Sequence, residues 1–264
     1  MLKLTDVTKV FNKGTVNEKT ALNHVTLTVN DGDFITLLGS NGAGKSTLFN
    51  AIAGDFRIDE GKMELDDKNI TFLPNYKRAV SVGRLFQDPL KGTAPHMTIE
   101  ENLTLAYLRA SSNRADFSRI TEKDRDFFRG KLKKLDMGLE DRMKTEVGTL
   151  SGGQRQALTL LMATIVPPKI LLLDEHTAAL DPVAAEKIMK LTEETVRENH
   201  TTCLLITHNM NHALSIGNRT LIMNNGRILS DLNEEEKKAM NVESLIHRFQ
   251  SALNDDRILL GDEL

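Results

Sequence analysis

Apolar residues along this chain follow two periods, and the places where one replaces the other mark its elements. Residues 2 to 7, Leu-Lys-Leu-Thr-Asp-Val, have a strand-like alternation. Two further strands are expected between residues 24 and 38, split by the turn Asn30-Asp31-Gly32-Asp33. Val25, Leu27 and Val29 share one side of the first, with threonines on the other. The opening thus predicts an antiparallel β layer leading into a short apolar strand, Phe34 to Leu38. Ser46 to Ala53 predicts a helix ended by Gly54. Residues 61 to 72 predict a hairpin, and Val80 to Phe86 a strand followed by Gln87-Asp88-Pro89.

From about Thr98 to Met143 strand signals thin out and charged residues take helical spacing. Thr98-Ile99-Glu100-Glu101 ahead of Leu103, Leu105 and Ala106 predicts a capped helix start. Residues 121 to 136 mix both signs as a solvated helical face does, so the segment looks like a helical insertion. Ala157, Leu158, Leu161 and Ile165 then mark a helix stopped by Pro167-Pro168. Ile170 to Leu173 is a continuous apolar run, as in a parallel strand covered on both faces. Asp181-Pro182 has the N-cap and first-position residues of a helix running through Val183 to Glu198. Thr202 to Ile206 predicts another buried strand, followed by Thr207-His208. Asn224-Asn225-Gly226 predicts a hairpin turn between Thr220–Met223 and Arg227–Leu229, and the tail from Asn233 is helical by pattern. The class is α/β.

Composition narrows the partners. The 264 residues carry 34 Lys and Arg against 37 Asp and Glu, which argues against a nucleic-acid partner held by charge. Cys203 is the single cysteine and lies in an apolar run; it is expected to be a buried thiol in a reducing compartment. No apolar stretch is long enough to cross a bilayer, and the first residues do not read as a signal peptide.

The chemistry centres on Gly39-Ser40-Asn41-Gly42-Ala43-Gly44-Lys45-Ser46-Thr47. Gly39, Gly44, Lys45 and Ser46 match the phosphate-loop pattern, between an expected strand and an expected helix. Glycines let the backbone wrap an anion, and the helix start adds unpaired N–H groups and a positive dipole end. Lys45 is placed to meet the β- and γ-phosphates of a nucleotide, and Ser46 to hold Mg²⁺. Leu150-Ser151-Gly152-Gly153-Gln154 prefaces a second helix and offers a second anion site of the same kind. Asp174-Glu175 ends a buried strand, where acids are costly unless they serve a ligand. His208 and His212 lie one turn apart, but no third metal ligand accompanies them.

The phosphate loop, Gln87, Ser151 to Gln154, Asp174-Glu175 and His208, in that order, resemble the ATP-binding-cassette ATPases from the N-terminus to about residue 230. The resemblance implies a P-loop NTPase (RecA-like) mixed-sheet core, an N-terminal antiparallel β layer and an inserted helical subdomain. It divides a single ATPase domain of residues 1–264 into a core of 1–88 and 157–230, a helical part of 89–156 and a tail of 231–264. It implies ATP and Mg²⁺, with Asp174 joining Ser46 on the metal, Glu175 as general base and His208 on the γ-phosphate. Gln87 would touch the metal or water and report to the helical part. Ser151 and Gly153, within Ser151-Gly152-Gly153-Gln154, would grip the γ-phosphate held by a second, head-to-tail copy, and Asp181 would lie at that boundary. Phe11 is the candidate for stacking on adenine, with a plain core position as its alternative. The residue after Glu175 is usually proline in the family; His176 here is either a neutral-pH titrating group or a tolerated loop change.

The segment Gln87 to Leu103 resembles subunits of importers that work with permeases and an extracytoplasmic substrate-binding protein, on the cytoplasmic face of the membrane. Asp174 to Pro182 resembles a group linked to amino-acid uptake. Export, a soluble DNA-repair or translation ATPase, and a nucleotide sensor without turnover are the alternatives. The chain shows neither a second cassette nor a long coiled coil, which the soluble machines usually carry, and Glu175 and His208 argue against a silent sensor.

Overall fold

The computed structural model of the chain describes residues 1–110 and 120–260, with the side chains of Pro89, Ala110 and 254–260 left aside. The parts of the helical insertion at 111–119 and of the tail at 261–264 lie outside the described residues. In chain order the elements begin with β1 (Leu2–Phe11), β2 (Lys19–Val29), β3 (Phe34–Gly39), α1 (Lys45–Ala53), β4 (Glu60–Leu65), β5 (Lys68–Asn69) and α2 (Asn75–Arg78). Then come β6 (Val82–Leu85), α3 (Ile99–Ala110), α4 (Glu122–Lys133), α5 (Gly152–Thr164), β7 (Ile170–Asp174) and α6 (Pro182–Glu198). The chain closes with β8 (Thr202–Ile206), α7 (Met210–Ser215), β9 (Arg219–Asn224), β10 (Arg227–Leu232), α8 (Glu234–Ala239) and α9 (Val242–Leu260). They form two compact units, Met1–Arg78 with Thr202–Leu264, and Ala79–Thr201. The second unit takes strands β6 and β7 and helix α6 along with the helical segment, because α6 packs on α5.

In the first unit, β2, β1, β4 and β5 form the antiparallel layer in that order. The alternation of β1 is broken on purpose. Leu4 pairs with Leu27 and Val7 with Val25, so Thr5 and Asp6 face one residue of β2 in a bulge, with Asp6 at φ 54°. The extra residue returns Val7 to the buried side beside Leu2 and Leu4. A second sheet contains β10, β9, β3 and β8 in order, with β3 parallel to both β8 and β9. Every residue of β8 is buried, as is all of β3 after Phe34, which explains their unbroken apolar runs. Cys203 lies in β8, and burial pushes its thiol well above its ordinary pKa.

The turn before β3 is pinned by Asp33. Its carboxylate accepts from Asn30 N–H at 2.9 Å, Asn218 Nδ2 at 2.9 Å and Arg219 at 2.7 Å. Burial pushes that carboxyl up, but Asn218, Asn30 and Arg219 outweigh it and hold it below the ordinary value. Helices α7 and α9 pack with Leu38, Ala213, Ile222, Leu232 and Leu245 into one apolar cluster, so the tail beyond residue 230 is part of this unit's core.

In the second unit β6 and β7 form a parallel pair. Its core joins Ile99 and Leu103 of α3, Phe128 and Leu132 of α4, Leu158 and Leu161 of α5, and Ile188 of α6. The charged stretch expected at 121–136 is α4 and its exit, exposed or half-buried except along the line of Phe128, Leu132 and Leu135, which is buried. Thr121 and Asp124 close a reciprocal capping box at its start.

Lys237 of α8 is buried and donates to the carbonyls of Ile216, at 2.7 Å, and Gly217, at 3.1 Å, where α7 ends. Burial lowers its pKa from 10.5 to about 8, against a small upward pull from Glu234. A lysine whose folded pKa lies below its unfolded one makes the unfolded chain hold more protons in between, so folding gains stability as pH rises through that window. Urea unfolding of the wild type and Lys237→Met is expected to show the wild type gaining on the variant from pH 8 to pH 10.5. A constant difference would mean that the two carbonyls keep the ammonium charged.

Candidate functional site

The phosphate loop begins where β3 ends. Gly42 and Gly44 stand at φ 81° and 103°, in the left-handed region. Gly44 is the N-cap of α1, which has no side-chain cap and no acid in its first turn. Other helices of the chain spend a threonine, serine, aspartate or asparagine at this position. An uncapped helix start that carries a glycine loop suits an anion. The glycines are also forced by crowding. A Cβ on Gly39 would stand 2.5 Å from the Met223 carbonyl oxygen, and one on Gly44 2.5 Å from that of Ala21.

Lys45 is 6% exposed and its Nζ donates to the carbonyls of Gly39 at 2.8 Å and Ser40 at 3.0 Å. The cation is thus folded along the inside of its own loop, with its apolar stem covered. Ser46 is exposed in the first turn of α1, Asn41 and Gly42 are exposed at the tip, and Thr47 is half-buried. The register Leu37 to Ile206 puts the ends of β3 and β8 on one edge of the sheet. His208, exposed two residues past β8, therefore lies at the same strand edge as the loop. Asn209 caps α7 just behind it. Phe11 is half-buried at the end of β1 and meets Phe56 edge-on, with ring centroids 5.3 Å apart. Lys9 Nζ lies 5.4 Å and 5.5 Å from these two rings, so Phe11 belongs to an aromatic ledge that the sequence pattern did not reveal.

Sequence reading also missed the support under the loop. The tip of the β9–β10 hairpin holds it from beneath: Gly226 N–H donates to the Ala43 carbonyl at 2.9 Å, and Ser40 Oγ donates to Asn224 Oδ1 at 3.0 Å. The hairpin turn Asn224-Asn225-Gly226 was legible as a turn, but its target lies some 180 residues earlier in the chain. Arg78 was missed as well. Its buried guanidinium donates to the carbonyls of Ala51 and Ile52 at the end of α1, and to Thr71 and Leu73.

The second unit has its own edge. Leu85 of β6 pairs with Leu173 of β7, so Gln87 and Asp174-Glu175 leave parallel strands at matching ends. Gln87 is exposed, and Asp88 behind it caps a short 3-10 turn, Pro89–Gly92. Asp174 and Glu175 are half-buried, and Glu175 stands at φ 46°. His176, expected as either a titrating group or a tolerated loop change, is buried. Asp181 accepts from Ala184 N–H at 3.0 Å as the cap of α6.

Ser151 caps α5, accepting from Gln154 N–H at 3.2 Å while the Gln154 side chain accepts from Ser151 N–H at 3.2 Å. This start is therefore capped by its own side chains, unlike α1. Gly152 and Gly153 have a second reason to lack side chains. Their Cβ atoms would press on Leu180 and Ala184 at 3.3 Å, so the glycines set α5 close against the start of α6.

No helix among the described residues is long and apolar enough to cross a membrane. No three His, Cys, Asp or Glu side chains among the described residues form a ready metal cage. The oxygen donors expected for Mg²⁺, the Ser46 hydroxyl and the Asp174 carboxylate, are of the hard kind that cation prefers, and each stands at a strand edge carrying other expected site residues.

Comparison with known proteins gives one answer. Residues 22–178 match the ABC transporter family model. The chain is 38% identical over 253 residues to the tyrosine transport ATP-binding protein of Clostridioides difficile, covering 96% of this chain and 100% of that one. It is 32% identical over 232 residues to the spermidine/putrescine import ATP-binding protein PotA of Haemophilus ducreyi, covering 88% of this chain and 57% of PotA. Among solved structures it is similar to an ATP-binding cassette in a dimeric, post-hydrolysis state bound to ADP and Pi. The TM-score is 0.76 and the identity 28%, over 89% of this chain and 99% of that one.

The capping role of Ser151 makes its own prediction. Ser151→Ala is expected to lower unfolding stability by about 1 kcal/mol, and Ser151→Asn, a competent cap, to restore it. Urea denaturation of the three proteins measures this, and equal stability would remove the cap from the account.

Proposed function

The chain belongs to the ABC transporter family and is an ATPase, and we propose that it drives amino-acid import through separate membrane-spanning subunits. The observation that supports hydrolysis best is the pair of parallel-strand registers. One aligns the phosphate loop with His208, and the other aligns Gln87 with Asp174-Glu175. Each unit thus offers a matched set: phosphate-binding groups on one, water-handling carboxylates on the other.

In this reading Lys45 and the amides of Gly39 to Thr47 hold the triphosphate, and Phe11 packs on the adenine with Phe56 and Lys9 nearby. Ser46, Asp174 and Gln87 would supply oxygen ligands for Mg²⁺, whose charge would offset that of the bound phosphates. Glu175 accepts the proton of the attacking water and His208 holds the γ-phosphate in line. Ser151 and Gly153 of a second copy close on the nucleotide, with Asp181 at the boundary. The cap geometry of Ser151 leaves its hydroxyl hydrogen available to donate, because the hydroxyl oxygen is the acceptor in the cap. Dimeric cassettes among the solved relatives support this arrangement.

The tyrosine transport relative, matched along its full length, supports an amino acid, aromatic in type, as cargo. Importer-type relatives of several cargo classes support import, and the same reading has the chain work with an extracytoplasmic binding protein from the cytoplasmic face of a membrane.

Glu175→Gln is expected to bind ATP within a few-fold of the wild type and to lose turnover by about 10³-fold, as removal of a general base does. With ATP it is expected to sediment as a dimer. Near-normal turnover would take Glu175 out of its role, and a strict monomer at all concentrations would remove the second copy. Purification of the tagged chain from native membranes is expected to bring membrane-spanning subunits with it. The ATPase of that complex, with its binding protein, should rise with tyrosine or a related amino acid, and stimulation by polyamine or sugar alone would overturn the cargo.

A further inference from the structure

Beside the reacting groups, the second unit holds a buried polar contact to which no role has yet been given. His176 is 2% exposed and Thr192, in the middle of α6, is fully buried. His176 Nε2 stands 3.0 Å from Thr192 Oγ1, and Thr192 Oγ1 donates to the Ile188 carbonyl at 2.8 Å. A threonine hydroxyl has one hydrogen. Here it goes back along the helix to Ile188, so the imidazole must be the donor, with its hydrogen on Nε2. The contact is directional, and an apolar side chain in place of His176 could not reproduce it.

What it holds is the residue before it. Glu175 sits at φ 46°, a conformation that costs a residue with a Cβ about 1 kcal/mol or more and persists only where its surroundings enforce it. The turn has its own backbone bonds, Ala178 N–H to the Glu175 carbonyl at 2.9 Å and Leu180 N–H to the Thr177 carbonyl at 3.2 Å. These close the turn but do not tie it to a neighbouring element. Asp181 anchors its far end on α6, and His176 anchors its near end on the same helix, ten residues into it.

We propose that the His176–Thr192 bond fixes the turn that presents the Glu175 carboxylate, so that both are positioning residues for water attack. The proposal rests on Glu175 being the base. Misplacing a base by a fraction of its hydrogen-bond reach lowers turnover and leaves nucleotide affinity alone, because affinity is carried by the phosphate loop.

The test uses the full chain and ATP. Thr192→Val keeps the shape of the side chain and removes the acceptor. It is expected to lower kcat about tenfold with KM for ATP within twofold, and Thr192→Ser is expected to return kcat to the wild-type range. His176→Leu is expected to match Thr192→Val, and the double variant to be no slower than either single one, because both remove the same bond. Thermal melts of each variant confirm that activity is read on folded protein, and Thr192→Val decides the matter if His176→Leu does not fold. A kcat for Thr192→Val within twofold of wild type overturns the proposal, as does a loss expressed in KM, no rescue by Thr192→Ser, or losses that multiply in the double variant. Glu175→Gln run alongside separates the two readings. If it is inactive while Thr192→Val is normal, only the bond to α6 is wrong; if it turns over normally, the assignment of Glu175 itself has failed.

Discussion

Close approach of backbone to backbone around the phosphate loop is the constraint on which the first unit depends. The loop has to curl tightly enough to turn its amides inward, and it is packed from outside by the chain itself. The Ala21 carbonyl presses on Gly44, the Met223 carbonyl on Gly39, and the Gly226 amide bonds Ala43. None of these positions tolerates a side chain on the loop glycine. The antiparallel layer supplies Ala21 and the β9–β10 hairpin supplies Met223 and Gly226. The elements that surround the loop are therefore its mould.

Buried cations follow a common rule in this unit. Lys45, Arg78 and Lys237 are all under 7% exposed, and each donates to two or more backbone carbonyls. Arg78 and Lys237 do so where α1 and α7 end, at the negative pole of each helix, where orphan carbonyls would otherwise be buried without donors. Lys45 does the same for the end of β3. A lysine that already leans on its loop has little side-chain freedom left to lose when an anion arrives.

The helix starts of the second unit contrast with that of α1. Ser151, Thr121 and Asp181 all close their helices with side chains, and the glycines after Ser151 serve close packing as well as any ligand. Asn209 and Asn233 cap α7 and α8 of the first unit in the same way, so the open start belongs to α1 and not to its unit.

The sequence by itself determined most of the strands and helices in order, the phosphate-loop pattern, the caps at Asp181 and Thr98, and where β3, β6, β7 and β8 end to within about a residue. These are local matters: a glycine pattern, a period of apolar residues or a capping pair acts within a few positions and leaves its mark there. It also carried the family order of motifs, which made the ATPase legible. Tertiary structure alone decided the bulge at Asp6 that restores Val7 to the core, the hairpin beneath the phosphate loop, the Phe56 partner of Phe11 and the bond from His176 to Thr192. Each joins residues far apart in the chain, or depends on register and on which face of a helix turns inward. The division into Met1–Arg78 with Thr202–Leu264 and Ala79–Thr201 has the same origin, because it follows which helices share a core, and composition along the chain does not record that.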